Sequence, residues 1–334
     1  MVVINSYIVA IIMCFITMLC WGSWANTQKL ASKEWKFQLF YWDYSIGVLL
    51  LTIIFAFTLG SFGNAGRGFL ADIAQANSSA FISAFIGGVV FNFANILLVA
   101  AIDIAGMAVA FPVGIGLALV IGVITNYVKI PEGNPTILFI GVALVVVAII
   151  LDALAYKKLP KQGGKSVGKG LILSIIAGIA MGFFYRFVRD SMAVDFVNPK
   201  AGMFTPYSAL VVFAVGLFLS NFIFNIILMK KPLVGEPVPL NDYFTKGNTR
   251  LHLIGILGGA IWSIGMSFNI VASEVASPAI SYGLGQGATM VAALWGVFIW
   301  KEFKDAPKGT NKYLTAMFIF FVVGLGMIIA ARLN

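Results

Sequence analysis

Charge is scarce in this 334-residue chain: Asp, Glu, Lys and Arg make up 10% of it, against 60% hydrophobic residues. A soluble domain carries roughly 25% charged residues, so water is excluded as the main solvent. There is one histidine and there are two cysteines, which removes the usual ligands and nucleophiles. No catalytic residue, metal site or cofactor is expected. Cys14 and Cys20 lie in one apolar run and form no CxxC pair. His252 begins a later run, where a lone histidine reads as an interfacial polar residue. The opening segment lacks the basic stretch of a signal peptide and carries Trp21 and Trp24 without a cleavage site, so it reads as a retained helix.

What the chain has is long apolar runs, with a mean hydropathy of +0.97. A bilayer core about 30 Å thick needs about 20 such residues per helix. Runs of that length fall at 6–28, 38–60, 80–101, 104–128, 135–156, 168–189, 205–229, 251–271, 277–300 and 313–332. They predict an all-α integral membrane protein of about ten transmembrane helices, with no room between them for a soluble catalytic domain. A membrane β-barrel would show short alternating segments instead.

The net charge of +9 is distributed by topology. Loops after odd-numbered runs hold Lys29, Lys33 and Lys36, the lysines of 157–169, Lys230, Lys231, Lys246 and Arg250, and the lysines of 301–312. The other side holds Arg67, Lys129, Arg186, Arg189, Lys200 and Arg332. By the positive-inside rule the first group is cytoplasmic and both termini lie outside. The partners implied are the lipid bilayer and a small-molecule substrate, not nucleic acid; a homodimer is left open.

The lysine-rich linker at 157–167 divides the chain into an N-terminal repeat, 1–156, and a C-terminal one, 168–334. At a constant offset of 171 residues Gly87-Gly88 aligns with Gly258-Gly259, Asp103 with Glu274, Gly114 with Gly285 and Gly116 with Gly287. Five spans per half force the second copy to insert upside down, which places Asp103 and Glu274 in turns on opposite sides. Two inverted five-helix bundles suit alternating access around a central site. The glycines read as close helix packing or as hinges. Gly283 to Gly287 is no nucleotide loop, since neither a strand before it nor Lys-Ser/Thr after it is present.

Polar residues inside hydrocarbon are functional candidates. Asp43, near the start of the second run, is either a proton-coupling carboxylate or an interfacial one paired with Lys33 or Lys36. Trp21 and Trp24 lie deeper than an aromatic belt requires and offer stacking surfaces. Asn92 with Asn95, and Tyr282 with Gln286, share helix faces expected to look inward. Asn221, Trp262 and Ser263 complete the candidate cavity, and Arg186 is either a gate or a snorkelling surface cation. Neutral donors and acceptors outnumber charges, which suggests an uncharged polar solute.

Tyr41-Trp42-Asp43-Tyr44-Ser45-Ile46, Gly22-Ser23-Trp24, and Gly87-Gly88 with Asn95 resemble segments of the ureide permease family, within the drug/metabolite transporter superfamily, over essentially the whole chain. Plant members have a long central loop where this chain has a short linker. The resemblance implies the drug/metabolite transporter fold and proton-linked import of ureides such as allantoin, or of nucleobases, in a bacterial inner membrane. The proton gradient would be the energy source, with Asp43 for coupling and Trp24 for substrate contact. Related glucose, ribose and rhamnose permeases, and exporters of the same fold, are the alternatives.

Overall fold

The computed structural model describes residues 1–31, 34–105, 107–159, 167–233 and 235–333. Among them every extended element is a helix, and one isolated β-bridge joins Met192 to Phe204. The first run becomes α1 (Tyr7–Ser23) and, after a break at Trp24, α2 (Ala25–Ala31). Then come α3 (Phe37–Phe57), the short α4 (Phe69–Gln75), α5 (Ser78–Ala105), α6 (Met107–Lys129) and α7 (Pro135–Lys157). The second half holds α8 (Val167–Asp190), α9 (Pro206–Lys230), the one-turn α10 (Asp242–Thr245) and α11 (Thr249–Ala276). A discontinuous span follows, α12 (Pro278–Gly285), α13 (Ala288–Leu294) and a π-helical turn at Trp295–Ile299, before α14 (Thr310–Ala330).

Local chemistry sets several of these boundaries. Asn134 accepts from Thr136 N and Ile137 N, and Pro135 takes the first helical position of α7, where its missing N–H costs nothing. Asn248 caps α11 through Leu251 N. Between α11 and α12 a single residue, Ser277, reverses the chain at φ 76°, and its hydroxyl caps Ile280 N. That positive-φ conformation is costly for a non-glycine residue and is held here by the cap and by burial.

Nine helical segments among the described residues are long and apolar enough to cross a membrane, and α6 holds a shorter apolar stretch, Val113–Lys129. The chain is a multi-pass membrane protein. Both termini sit at one end: the Met1 amino group donates to Ala65 O, and Arg332 Nε donates to Val275 O. The lysine-rich loops sit at the other. We call these the terminal and the lysine-rich end.

The two halves run in opposite directions and clasp one another through glycine. A Cβ on Gly88 of α5 would collide with the Phe213 carbonyl of α9, and one on Gly259 of α11 with the Tyr44 carbonyl of α3. Gly216 meets Phe85 O and Gly47 meets Ile256 O in the same exchanged way. With lipid as solvent there is little hydrophobic drive between helices, so backbone-to-backbone approach of this kind supplies the packing. The aligned glycine pairs are therefore close contacts between the halves. Gly285 and Gly287 bracket the break between α12 and α13, whereas Gly114 and Gly116 lie in continuous α6.

Two expectations are modified. Glu274 lies in the last turn of α11 and not in a turn beyond it, because α11 continues to Ala276. Asp103 belongs by backbone to α5, but its side chain, and residues 160–166 of the linker, lie outside the described residues.

Candidate functional site

A cavity of about 450 Å³ enters the bundle from the lysine-rich end, within the roughly 300–1,000 Å³ usual for ligand pockets. Its inner walls are Trp21 and Trp24 of the first span, Phe91 and Asn95 of α5, Met181 and Phe184 of α8, Trp262 of α11, and Gln286 at the α12–α13 break. Its mouth carries Asn26, Gln28, Lys29, Tyr156, Trp295, Trp300 and Glu302.

The repeat organises the inner walls. At the 171-residue offset Phe91 pairs with Trp262 and Ile115 with Gln286, and in the first helix of each half, where the offset is 160, Trp21 pairs with Met181 and Trp24 with Phe184; all of them line the cavity. Trp24 packs on Tyr44 with centroids 4.8 Å apart, and Tyr44 lies 6.4 Å from Trp262. The counterpart trio is Phe184 with Phe213 at 6.0 Å and Phe213 with Phe91 at 5.8 Å. Phe91 and Trp262 meet at 4.4 Å, joining the trios at the centre. Trp21 stacks over Trp262 at 6.0 Å and donates Nε1 to Trp262 O at 3.2 Å. The cavity thus sits on the axis relating the repeats, walled by rings that offer flat apolar faces.

Polar groups are few there. Asn95 donates Nδ2 to Tyr41 OH at 3.0 Å, leaving its carbonyl oxygen as an acceptor. Gln286 and Thr289 stand across from it where α12 breaks. At the mouth Lys29 Nζ pairs with Glu302 Oε1 at 2.6 Å, and Tyr156 OH donates to Glu302 Oε2 at 2.7 Å. Trp295 Nε1 donates to Ser23 Oγ at 2.9 Å and Trp300 Nε1 to Asn26 Oδ1 at 2.6 Å, which ties the bend after α1 to the end of the ninth span.

Of the residues singled out from sequence, Trp21, Trp24, Asn95, Trp262 and Gln286 meet in this cavity. The others are placed elsewhere. Asn92 is fully buried and donates to Ser220 Oγ at 2.9 Å, gluing α5 to α9. Asn221 donates to Ser45 Oγ at 3.2 Å between α9 and α3, and Ser263 is buried in α11. Tyr282 reaches away to Met181 O at 3.1 Å, its ring seated on Gly122. It parts from Gln286 because α12 ends between them. Arg186 is part-exposed and pairs with Asp190 at 3.6 Å on the terminal end, while Arg189 is the buried cation there.

Asp43 stands outside the cavity wall, in a cluster near the lysine-rich end. It is fully buried. His252 Nδ1 lies 2.9 Å from its Oδ1, which also accepts from Tyr243 OH, and Trp35 Nε1 donates to Oδ2 at 3.2 Å. Its partner is thus the lone histidine and not Lys36, while Lys33 lies outside the described residues. Burial, and then the carboxylate itself, raise the Tyr243 phenol well above its ordinary range, so Tyr243 remains a donor. Sequence reading missed His252, Tyr243 and the Lys29–Glu302 pair because each joins segments more than a hundred residues apart.

Past the aromatic centre the terminal end is shut. Tyr185 OH lies 3.0 Å from Ser281 Oγ, and Asn269 Nδ2 donates to Ser281 O at 2.7 Å. Nearer the surface, Arg67 donates to Asp72 Oδ1 at 2.9 Å, to Pro199 O at 2.5 Å and to Met203 O at 2.6 Å. The fully buried Asp72 accepts from Thr205 N at 2.7 Å and Thr205 Oγ1 at 2.9 Å. A cavity open at one end and sealed at the other is one half of an alternating-access cycle.

Comparison with known proteins gives this geometry a family. Ureide permease 1 of Arabidopsis thaliana is 23% identical, over 96% of each chain, and ureide permease 4 is 22% identical over 99% of each. The glucose uptake protein GlcU of Bacillus subtilis is 24% identical over 75% of this chain and 76% of its own. A solved crystal structure shares the fold over 97% of both chains, with a TM-score of 0.57 at 16% identity. The relatives are named as permeases and not as enzymes, and the protein is a membrane transporter. The sequence model described as ureide permease matches residues 40–162 and 153–331, and the chain belongs to that family.

Proposed function

We propose that the protein is a secondary transporter that imports a small, uncharged, polar metabolite of the ureide or nucleobase type, driven by the proton gradient. One observation carries the substrate class. Aromatic faces and the amides of Asn95 and Gln286 line the inner cavity, while the only charged lining residues among those described, Lys29 and Glu302, sit at the mouth and neutralise each other. A planar ring bearing carbonyl and N–H groups stacks on such walls and exchanges hydrogen bonds with amides. A charged solute would find no counter-ion there. The ureide permease relatives support this reading.

Coupling is assigned to the Asp43–His252 pair. The Asp43 carboxylate and the His252 imidazole stand 2.9 Å apart and are the groups through which a proton would pass. They bridge α3 and α11, the two helices joined by the Gly259 contact, so a change in their charge acts on the clasp between the halves. In the bacterial plasma membrane, with the lysine-rich end cytoplasmic and the termini outside, the cavity is the inward-facing one.

The test is uptake of radiolabelled allantoin and uracil into proteoliposomes with an imposed pH gradient. Accumulation that follows the gradient in wild type and not in Asp43→Asn is the expected result; accumulation blind to the gradient in both removes the coupling. A sugar is the second reading, favoured by the GlcU relative and by the way sugar faces stack on indoles. Labelled glucose and ribose in the same assay separate the two.

A further inference from the structure

Counted from Gly22 and Gly182, 160 residues apart in the first helices of the two halves, Lys29 and Arg189 fall at the same place. They fall in register with Gly22 and Gly182 and with the cavity residues Trp24 and Phe184. Gly22 packs on Val291 of the ninth span, and Gly182 packs on Ile121 of the fourth. The ninth span is followed by Glu302 and the fourth by Glu132, within one residue of the same place in the 171-residue register. Each end of the molecule therefore includes a cation from the first helix of a repeat and a carboxylate from the segment after its fourth span.

The two sets are in different states. At the open, lysine-rich end the pair is made, Lys29 Nζ to Glu302 Oε1 at 2.6 Å, with side chains 45% and 28% exposed. At the sealed end Arg189 is 7% exposed and lies over the Phe196 ring at 5.3 Å, and its Nε and Nη1 have no hydrogen-bond partner. Glu132, Glu274 and Asp190 are within electrostatic reach of it. Each is engaged elsewhere: Glu132 with Arg332 at 2.9 Å, Glu274 with Phe196 N at 2.6 Å, Asp190 with Lys129 at 3.4 Å. In this sealed end the cation lies in an apolar setting with two of its donors unmet, an unfavourable condition that needs a compensating gain elsewhere.

We propose that Lys29–Glu302 and Arg189–Glu132 are exchanging ion pairs, each made when its own end is open and broken when that end is sealed. The inference rests on the alternating-access reading of the fold. In each state one pair is made and one is broken, so this contribution nearly cancels between the two states. Neither state then becomes a trap, and the bound solute can tip the balance with modest differential affinity.

The test reads which end is open, independently of transport. In a Cys14→Ala, Cys20→Ala background, Ser191→Cys places a buried thiol at the sealed end, and its rate of reaction with a membrane-impermeant maleimide in nanodiscs reports opening there. Glu132→Gln removes the partner Arg189 gains on opening and should slow labelling about fivefold or more. Glu302→Gln, and independently Lys29→Gln, remove the pair that holds the lysine-rich end open and should speed it by a similar factor. Changes of the same sign, or no change beyond twofold in all three, overturn the exchange while uptake by the wild type leaves the transport reading standing. A thiol that stays unlabelled in the wild type and in every variant overturns both.

Discussion

At the open end Ala25 follows Trp24 and lines the cavity; at the shut end its equivalent, Tyr185, follows Phe184 and fills the space with a ring hydrogen-bonded to Ser281. The same helix pair, built from the same repeat, is a doorway at one end and a plug at the other. Glycine clasps on both sides of the axis are alike in kind, Gly88 on Phe213 and Gly259 on Tyr44, so the scaffold is shared and the difference lies in side chains near the ends. The terminal end adds the Arg67–Asp72–Thr205 network. The lysine-rich end has exposed pairs such as Arg250–Glu34, 59% and 54% exposed.

The comparison breaks most sharply at Arg67. Replacing it by Ala leaves the carboxylate of Asp72 buried without its cation, and about 3–5 kcal/mol of stability should be lost. Thermal unfolding in detergent should show a markedly lower Tm, with Asp72→Asn, which leaves no bare charge, falling less. At the other end Asp43→Asn removes the group shared by His252, Tyr243 and Trp35. Uptake should lose its dependence on the pH gradient while binding of solute persists, read by parallel flux and equilibrium-binding measurements. In the centre, Trp262→Ala removes the ring stacked on Trp21 and Phe91 and should raise KM about tenfold, an effect of about 1.4 kcal/mol. The smallest effect belongs to Arg250→Ala. Its pair is solvated, so stability should stay within about 0.5 kcal/mol of wild type, and a larger drop would mean that the lysine-rich end is locked as firmly as the terminal one.

Much of the scaffold is legible in the residues. Apolar runs can satisfy their backbone in lipid only as helices, and the spans read from sequence fall within a few residues of those observed. The exceptions have local causes: α11 runs on to Ala276 because Ser277 supplies the reversal, and the ninth span breaks where Gly285 and Gly287 flank Gln286. The cavity is half legible. Trp21, Trp24 and Trp262 are visible as indoles too deep for an interface, but Phe91, Phe184 and Met181 look like any packing residue until the repeats are superposed. Helical spacing places Asn92 beside Asn95, yet a neighbouring helix, α9, claims Asn92 through Ser220.

Composition and periodicity determined the solvent and the approximate number of helices, because these follow from each segment's own hydrocarbon content. Which end is open, which carboxylate meets the lone histidine and which cation is left without a partner were decided only by the tertiary structure. Those outcomes depend on contacts between helices remote in sequence, where a few ångströms of approach settle whether a polar group faces a partner, a cavity or hydrocarbon.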